Sequence, residues 1–465
     1  MLFNSYLFLF IFLPITYFSF RFFSYTHSKK AALISIVIFS MLFYMYWNPP
    51  YIFLLLLSVL YNFFLGKQIN KNIKYRKLVF YTGIVANLLL LFYFKYANFF
   101  INNINAIFNN HIFNNFNNII FPLGISFWTF QQISYLMDIY KRVHKAEQTL
   151  LYYIAYIFFF PHLIAGPIVR HEILISQLKK DSIFRFSYKN IIIGLCFLSI
   201  GLFKKVVIAD QLSPWVNNIF DTGKENFSFA EAWVGALSYT LQIYFDFSGY
   251  SDMAIGIAKL FNIDFPINFY SPYKSYSIIE FWRRWHITLS SFLRDYLYIP
   301  LGGKFCKYRN LCLTMLIGGL WHGAGWTFVI WGGTHGVLLS INHYYKKINN
   351  KLGFVIPDNV AWLMTFLSVI FCWVFFRAHD ISQAANIIYS MLNFSDIMSV
   401  IHQKRYLSVC LLLVILCRLL PETFEFIKLK KNKKSKLKIY LSILMMLISI
   451  IMINSVPTEF LYFQF

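Results

Sequence analysis

Long apolar runs separated by short polar punctuation fill this chain from end to end. Leu2–Phe23, Ala31–Trp47, Leu78–Phe100, Trp362–Phe376 and Ile439–Ile453 approach the ~20 apolar residues that a helix needs to cross a bilayer. Ile191–Phe203 is shorter and spans only with its flanks. The runs are continuously apolar and do not alternate, so they predict helices rather than the strands of a β-barrel. By the length rule the chain makes about eleven crossings. The predicted fold class is an all-α polytopic membrane protein. One domain over 1–465 is expected, with N-terminal helices over 1–150, a motif-bearing core over 151–345 and C-terminal helices over 346–465. The first run is too long for a cleaved signal and no small-residue cleavage site follows it.

Two segments depart from simple crossings. Phe158–Ile168 contains Pro161, His162, Gly166 and Pro167, and Arg170 follows. Backbone this irregular predicts a kinked or re-entrant segment, tolerated only where protein or a water-filled cavity covers it. Leu311–Leu339 contains no Lys, Arg, Asp or Glu. Lys304, Lys307 and Arg309 precede it, and Lys346, Lys347 and Lys351 follow. Both ends carry the mark of the cytoplasmic face, so the segment is expected to dip in and return.

Composition narrows the class. Hydrophobic residues are 58% of the chain and charged residues 13%, about half the charged share of an ordinary soluble enzyme. The net charge of +23 lies in short loops between apolar runs, which is a topology signal rather than a nucleic-acid footprint. His27–Lys30, Lys67–Lys77 and Asp138–Lys145 are basic, whereas Asn48-Pro49-Pro50 and Asn102–Asn118 are uncharged. The alternation puts the N-terminus outside. Asn102–Asn118 is low-complexity and expected to be mobile. Lys428–Lys438, with seven lysines, reads as a cytoplasmic loop against anionic lipid. Glu459–Phe465 reads as an aromatic interfacial end. The six cysteines form no CxxC pair and imply neither a metal site nor a disulfide framework.

Chemistry concentrates between Phe281 and Gly336. His322 lies inside the uncharged segment, where an ionisable side chain is a functional-site hypothesis by default. An imidazole takes and returns a proton near neutral pH. The glycines between Gly318 and Gly336 let backbones approach closely. His335 reads as a hydrogen-bonded structural residue or a second polar wall. Over Ser277–Gly303, one continuous helix would put Arg283, His286 and Ser290 on a shared face. Arg284, Ser291 and Asp295 would form the neighbouring stripe. Such a helix lies at the lipid interface or lines a polar cavity. Asp246 and Asp252 are expected to pair with an arginine such as Arg283 or Arg284, or to cap a helix start at Ser251 or Asp252. His162 and Arg170 belong to the kinked segment. No GxSxG elbow, P-loop or HExxH motif is present in a convincing context. From the residues alone, transporter and membrane transferase stay open. A transporter predicts internal repeats, and none is visible.

Trp321-His322-Gly323-Ala324 and Phe281–Gly303 strongly resemble the membrane-bound O-acyltransferases, with support from Phe160–Arg170, Tyr244–Tyr273 and Phe375-Phe376-Arg377-Ala378. The resemblance is to the bacterial branch that O-acetylates alginate and peptidoglycan. The D-alanyl transfer protein of teichoic acid synthesis is a more distant cousin. The resemblance implies a ring of transmembrane helices, with re-entrant or interfacial helices, around a central tunnel. It implies His322 as general base and His286 as a second polar group of the catalytic centre. Arg283 and Arg284 would attract donor phosphates, and Trp321, Trp285, Ser290 and Asp246 would belong to the surrounding donor or substrate site. The implied donor is a cytoplasmic thioester, acetyl-CoA, with no bound cofactor and no metal. A separate periplasmic O-acetyltransferase and membrane lipid are the implied partners, in a bacterial inner membrane. Peptidoglycan is the expected acceptor, because abundant Asn, Ile, Lys and Phe suggest an AT-rich genome. Alginate or another exopolysaccharide, or D-alanyl transfer to teichoic acid, are the alternatives.

Overall fold

A computed structural model describes residues 1–26, 28–71, 74–108, 113–116, 120–224, 226–353, 356–428, 433–453 and 460–461. Among these residues there are helices and no strands. The first helices are α1 (Leu13–Thr26), α2 (Lys29–Met45), α3 (Tyr51–Lys71), α4 (Arg76–Leu91) and α5 (Ala97–Phe108). Then come α6 (Ile125–Tyr140), α7 (Leu150–Phe158), α8 (Phe160–Leu163), α9 (His171–Leu178) and α10 (Tyr188–Leu202). The second half begins with α11 (Asp210–Phe220), α12 (Phe229–Leu260), α13 (Ile278–Arg284) and α14 (Ile287–Leu293). It continues with α15 (Lys307–His322), α16 (Trp326–Leu352), α17 (Asp358–Arg377) and α18 (Ile381–Leu392). The last are α19 (Lys404–Leu419), α20 (Thr423–Ile427) and α21 (Lys433–Met452).

Six helical stretches are long and apolar enough to cross a membrane: Leu7–Thr26, Tyr51–Lys71, Arg76–Phe108, Tyr188–Phe220, Asp358–Arg377 and Ser435–Met452. Ile381–Leu392 and Phe394–Ile401, bent by 80°, would make a seventh as a pair. The expected count of about eleven draws also on shorter or more polar helices. Helix α2 has 17 residues, and α15 has 16 with His322 at its end. Helix α2 leaves Ile34, Ile38 and Leu42 exposed, as a lipid-facing helix does, whereas the buried His322 gives α15 a reason to be covered by protein.

The chain packs as two compact units. One holds Met1–Ser199 and Tyr250–Pro266; the other holds Ile200–Gly249 and Ile267–Phe465. Two of the three boundaries fall within the long helices α10 and α12, and the third follows Pro266. In the first unit, α6 is buried almost throughout, Gln131, Gln132 and Asp138 included. Phe158–Ile168 is broken as expected. Helix α7 stops at Phe158, Phe159 leaves the helical region (φ −52°, ψ 105°), α8 makes one turn, and irregular backbone runs on to α9. All of Phe158–Val169 is buried, the condition under which irregular backbone survives in a membrane protein. His162 Nε2–H donates to the Tyr156 carbonyl at 2.9 Å.

The Asn-rich loop is only partly described. Asn98 and Asn105 hold Phe116 and Phe113 by paired side-chain-to-backbone bonds, so the described part is pinned. His27, residues 72–73 and residues 429–432, within the expected basic loops, lie outside the described residues, as do 454–459 and 462–465. Phe460 and Leu461 are buried, not interfacial as expected.

Candidate active site

Helices α15 and α16 form a tight antiparallel hairpin, and glycines make it possible. A Cβ on Gly319 would lie 2.2 Å from the Phe328 carbonyl oxygen, and one on Gly332 would lie 2.3 Å from that of Met315. Only hydrogen fits at these two crossings. Leu311–Leu339 therefore doubles back on itself, which brings its basic flanks together. Lys304–Arg309 meet His343 and Lys347 at the open end, lining a cavity of about 520 Å³. His322 sits at the closed end, on the last residue of α15.

His322 is 5% exposed and enclosed by rings. Trp321 lies 4.8 Å away between ring centroids, Trp331 stands edge-on at 5.1 Å, and Phe376 packs at 5.2 Å. The Trp331 indole N–H is buried and has no acceptor among the described residues. His335, one turn further along α16, is structural in the way its sequence context suggests. Its Nδ1 accepts from Trp282 Nε1–H at 3.2 Å.

His286 is placed differently from the sequence expectation. Ser277–Gly303 is not one helix. The Ser277 hydroxyl caps α13 by accepting from Glu280 N–H, but the helix stops at Arg284. Trp285 is extended, and His286 is left-handed at φ 41°, ψ 55°. Arg283, His286 and Ser290 consequently share no helical face. Asn268 fixes the break. Its carbonyl oxygen accepts from Ile287 N–H at 2.9 Å, and its side-chain oxygen accepts from Thr288 Oγ1 at 2.8 Å. That same oxygen faces His286 Nδ1 at 3.1 Å, which places the imidazole proton on Nδ1. Phe247 stands edge-on to the ring at 4.7 Å. Trp321 lies 6.3 Å from His286, so both histidines flank one indole.

A cavity of about 630 Å³ opens between α13–α14 and the α15–α16 hairpin. Ile279, Trp282, Leu311 and Met315 form its apolar wall, while Arg283, Arg294, Lys304, Lys307 and His343 line it with basic groups. Ser290 and Ser291 also reach it, and Lys304, Lys307 and His343 are shared with the cavity at the hairpin's open end. Trp282 packs on Trp331 at 5.8 Å, so two indoles stand between the cavity wall and His322. A basic entrance, an apolar wall and an imidazole behind it suit a phosphorylated, thread-like substrate.

The family model of the membrane-bound O-acyltransferases matches residues 39–379. The chain belongs to the membrane-bound O-acyltransferase family. It is 44% identical to the peptidoglycan O-acetyltransferase of Helicobacter pylori, across 85% of this chain and 81% of that one. It is 40% identical to "Probable alginate O-acetylase AlgI" of Pseudomonas putida, with the same coverage of both chains. Identity to the teichoic acid D-alanyltransferase of Bacillus subtilis is 28%, across 56% of this chain and 69% of that one. This membrane-bound O-acyltransferase is thus a multi-pass acyl-transfer enzyme.

The other expected site residues divide. Arg283 lines the large cavity, whereas Arg284 turns to Glu280 at 2.7 Å and to the Tyr270 ring and carbonyl. Trp285 stacks on Phe281 at 5.6 Å and packs on Trp373 at 4.8 Å, as part of the aromatic floor. Ser290 Oγ donates to the Trp285 carbonyl at 3.3 Å. Asp246 pairs with neither arginine. It is buried against Lys205 at 2.5 Å, and Lys205 also holds Asp210 at 2.7 Å. Ser251 and Asp252 lie inside α12 rather than at a helix start. The Leu461 N–H donates to Asp246 at 3.1 Å, which brings the end of the described chain to this ion cluster. Among the described residues no group of His, Cys, Asp and Glu is placed to hold a metal ion.

Sequence reasoning missed Lys205, Asp210, Trp331 and the role of Asn268. Lys205 had a signal: a lysine inside an apolar run is as conspicuous as His322. It sits in a π-helical stretch, Phe203–Ala209, a local irregularity common at functional sites. Asn268 had none, because its partners lie 18 and 20 positions further on.

Proposed function

We propose that this acyltransferase moves acetyl groups from cytoplasmic acetyl-CoA toward an extracytoplasmic polysaccharide, peptidoglycan, with His322 as general base. The observation that carries the reading is the position of His322, enclosed by rings at the closed end of a hairpin beside a basic-mouthed cavity. Arg283, Arg294, Lys304 and Lys307 would hold the donor's phosphates by charge-assisted bonds. The apolar wall at Trp282 and Met315 would take the thioester arm. His322 would accept the proton of the attacking hydroxyl. The hydroxyl oxygen forms the ester bond to the acetyl carbonyl carbon, and the carbon–sulfur bond breaks. The imidazolium then returns its proton to the departing thiolate. The Trp331 N–H is available to the carbonyl oxygen as negative charge develops there. His286, with its proton held on Nδ1 by Asn268, would orient the reacting groups.

The basic loops favour a cytoplasmic donor side and an external N-terminus. Delivery to the wall polymer would then fall to a separate periplasmic transferase. The 44% identity to a peptidoglycan O-acetyltransferase favours that acceptor over alginate. The test is mass spectrometry of wall and secreted glycans from cells with and without the protein. Loss of O-acetyl groups from peptidoglycan alone supports the reading. Loss from a secreted glycan, or of D-alanyl esters from teichoic acid, replaces the acceptor.

A further inference from the structure

The end of α17 is anchored by charge, through residues that do not line the basic cavity. Arg377, its last residue, donates from one terminal nitrogen to both carboxylate oxygens of Asp221, at 2.7 and 2.6 Å. The guanidinium also lies over the Phe220 ring at 5.4 Å. Asp221 follows directly on α11 and takes a further bond from His379 Nε2 at 3.0 Å. Gln383 of α18 closes the node, donating to the Phe220 carbonyl at 2.8 Å and accepting from His379 N–H at 2.9 Å. The ends of α11 and α17 and the start of α18 are thereby tied together. Isolated surface pairs hold geometry poorly. This one is different: the Arg377 side chain is only 13% exposed, and several bonds share the carboxylate.

The residue before Arg377 touches the reaction centre. Phe376 is 2% exposed and meets the His322 ring at 5.2 Å and 71°. It also meets Trp331 at 5.0 Å and Phe328 at 5.1 Å, each nearly edge-on. A helix transmits rotation and translation between neighbouring residues almost rigidly. Holding Arg377 therefore holds Phe376, and Phe376 is one wall of the space in which the imidazole turns.

We propose that the Asp221–Arg377 pair positions His322 for acyl transfer, by fixing the end of α17 so that Phe376 keeps the imidazole in its reacting orientation. The inference rests on the reading of His322 as general base. No proton and no acyl group passes through the pair. Asp221 and Arg377 are positioning residues, acting only through Phe376.

The test uses the purified full-length enzyme with labelled acetyl-CoA and a soluble acceptor. It compares the parent with His322→Ala, Asp221→Asn, Arg377→Lys, Phe376→Ala and the Asp221→Asn/Phe376→Ala double variant. Lys224→Gln, which loses a surface pair with Glu231 and a contact with the Phe227 ring, is the control. Asp221→Asn is expected to lower kcat about 10- to 100-fold, the scale of a small misplacement at a reacting centre. The donor KM should stay within about twofold, because ground-state binding is untouched. Arg377→Lys keeps the charge and should lose less than Asp221→Asn. The double variant should be no slower than Phe376→Ala alone, since the pair acts through that ring. Parental kcat in Asp221→Asn, or losses that multiply in the double variant, overturns the proposal. If Asp221→Asn does not fold, Arg377→Lys combined with Phe376→Ala supplies the same comparison. An active His322→Ala defeats the general-base reading. A dead His322→Ala beside fully active Asp221→Asn and Arg377→Lys defeats only the positioning role.

Discussion

The two histidines that flank Trp321 are held by different means. His322 ends a helix whose course is set by a long uncharged segment, and glycines lock that helix against its partner at Gly319 and Gly332. His286 occupies a left-handed break between two seven-residue helices, pinned from outside by Asn268. The first position follows from a local pattern. The second depends on a tertiary contact and carries a backbone conformation that costs a non-glycine residue about 1–2 kcal/mol. Strain of that kind persists only where the surroundings over-determine it, as Asn268 and Thr288 do here. The imidazole at 286 is thus held by a hydrogen bond from outside its own helices, whereas the hairpin packs His322 among the rings of Trp321, Trp331 and Phe376.

The contrast can be sharpened by substitution. His286→Asn keeps a residue tolerant of the left-handed region while removing the ring. Acetyl transfer should fall by about 10²-fold with folding intact, the lower end for a lost acid–base or orienting group. Normal turnover would leave position 286 a backbone feature only. On the hairpin side, Gly332→Ala should lower stability by about 1–3 kcal/mol, the usual range for overpacking, because a methyl meets the Met315 carbonyl. Gly333→Ala, whose methyl would meet only the flexible Leu316 side chain at 3.3 Å, should be tolerated. Thermal unfolding in detergent compares them; equal midpoints would deny the glycine crossing its role.

A weaker effect is expected at the cavity. Arg283→Gln should raise the donor KM severalfold, about 1 kcal/mol of lost phosphate contact, with kcat little changed. A fall in kcat alone would move Arg283 from binding to catalysis. The smallest effect concerns pH. Burial pushes the Asp221 carboxyl up, but the bonds and charges of Arg377 and His379 outweigh it and hold it below its usual value. A depressed carboxylate contributes stability above its unfolded pKa, and that contribution is lost as pH falls through the folded one. The midpoint difference between the parent and Asp221→Asn should therefore shrink on acidification. A difference that stays constant or widens contradicts the assignment.

Much of the site was legible because its signals are local. The uncharged segment around His322, the basic flanks that predict its return, and the prolines that break Phe158–Ile168 each act within a few turns of chain. The break at Trp285–His286 was not legible. The residues over Ser277–Gly303 fit a helix well, and what stops it is an asparagine in the preceding loop. The partner of Asp246 was only half legible: Lys205 stands out in its apolar run, but nothing local ties it to Asp246 rather than to another carboxylate. The two-unit packing escaped for a related reason: two of its three boundaries cut through α10 and α12, where the apolar pattern does not change.

Chemical rescue tests the central claim most directly. Acetyl transfer by purified His322→Ala and His286→Asn is measured with and without added imidazole. The account predicts that His322→Ala loses about 10²–10⁴ in rate, as general bases do, and that imidazole restores part of it. His286→Asn should show no rescue, because its lost function is orientation by a ring fixed to Asn268. Turnover by His322→Ala near the parental rate, or rescue of His286→Asn alone, would contradict the assignment of His322 as the base.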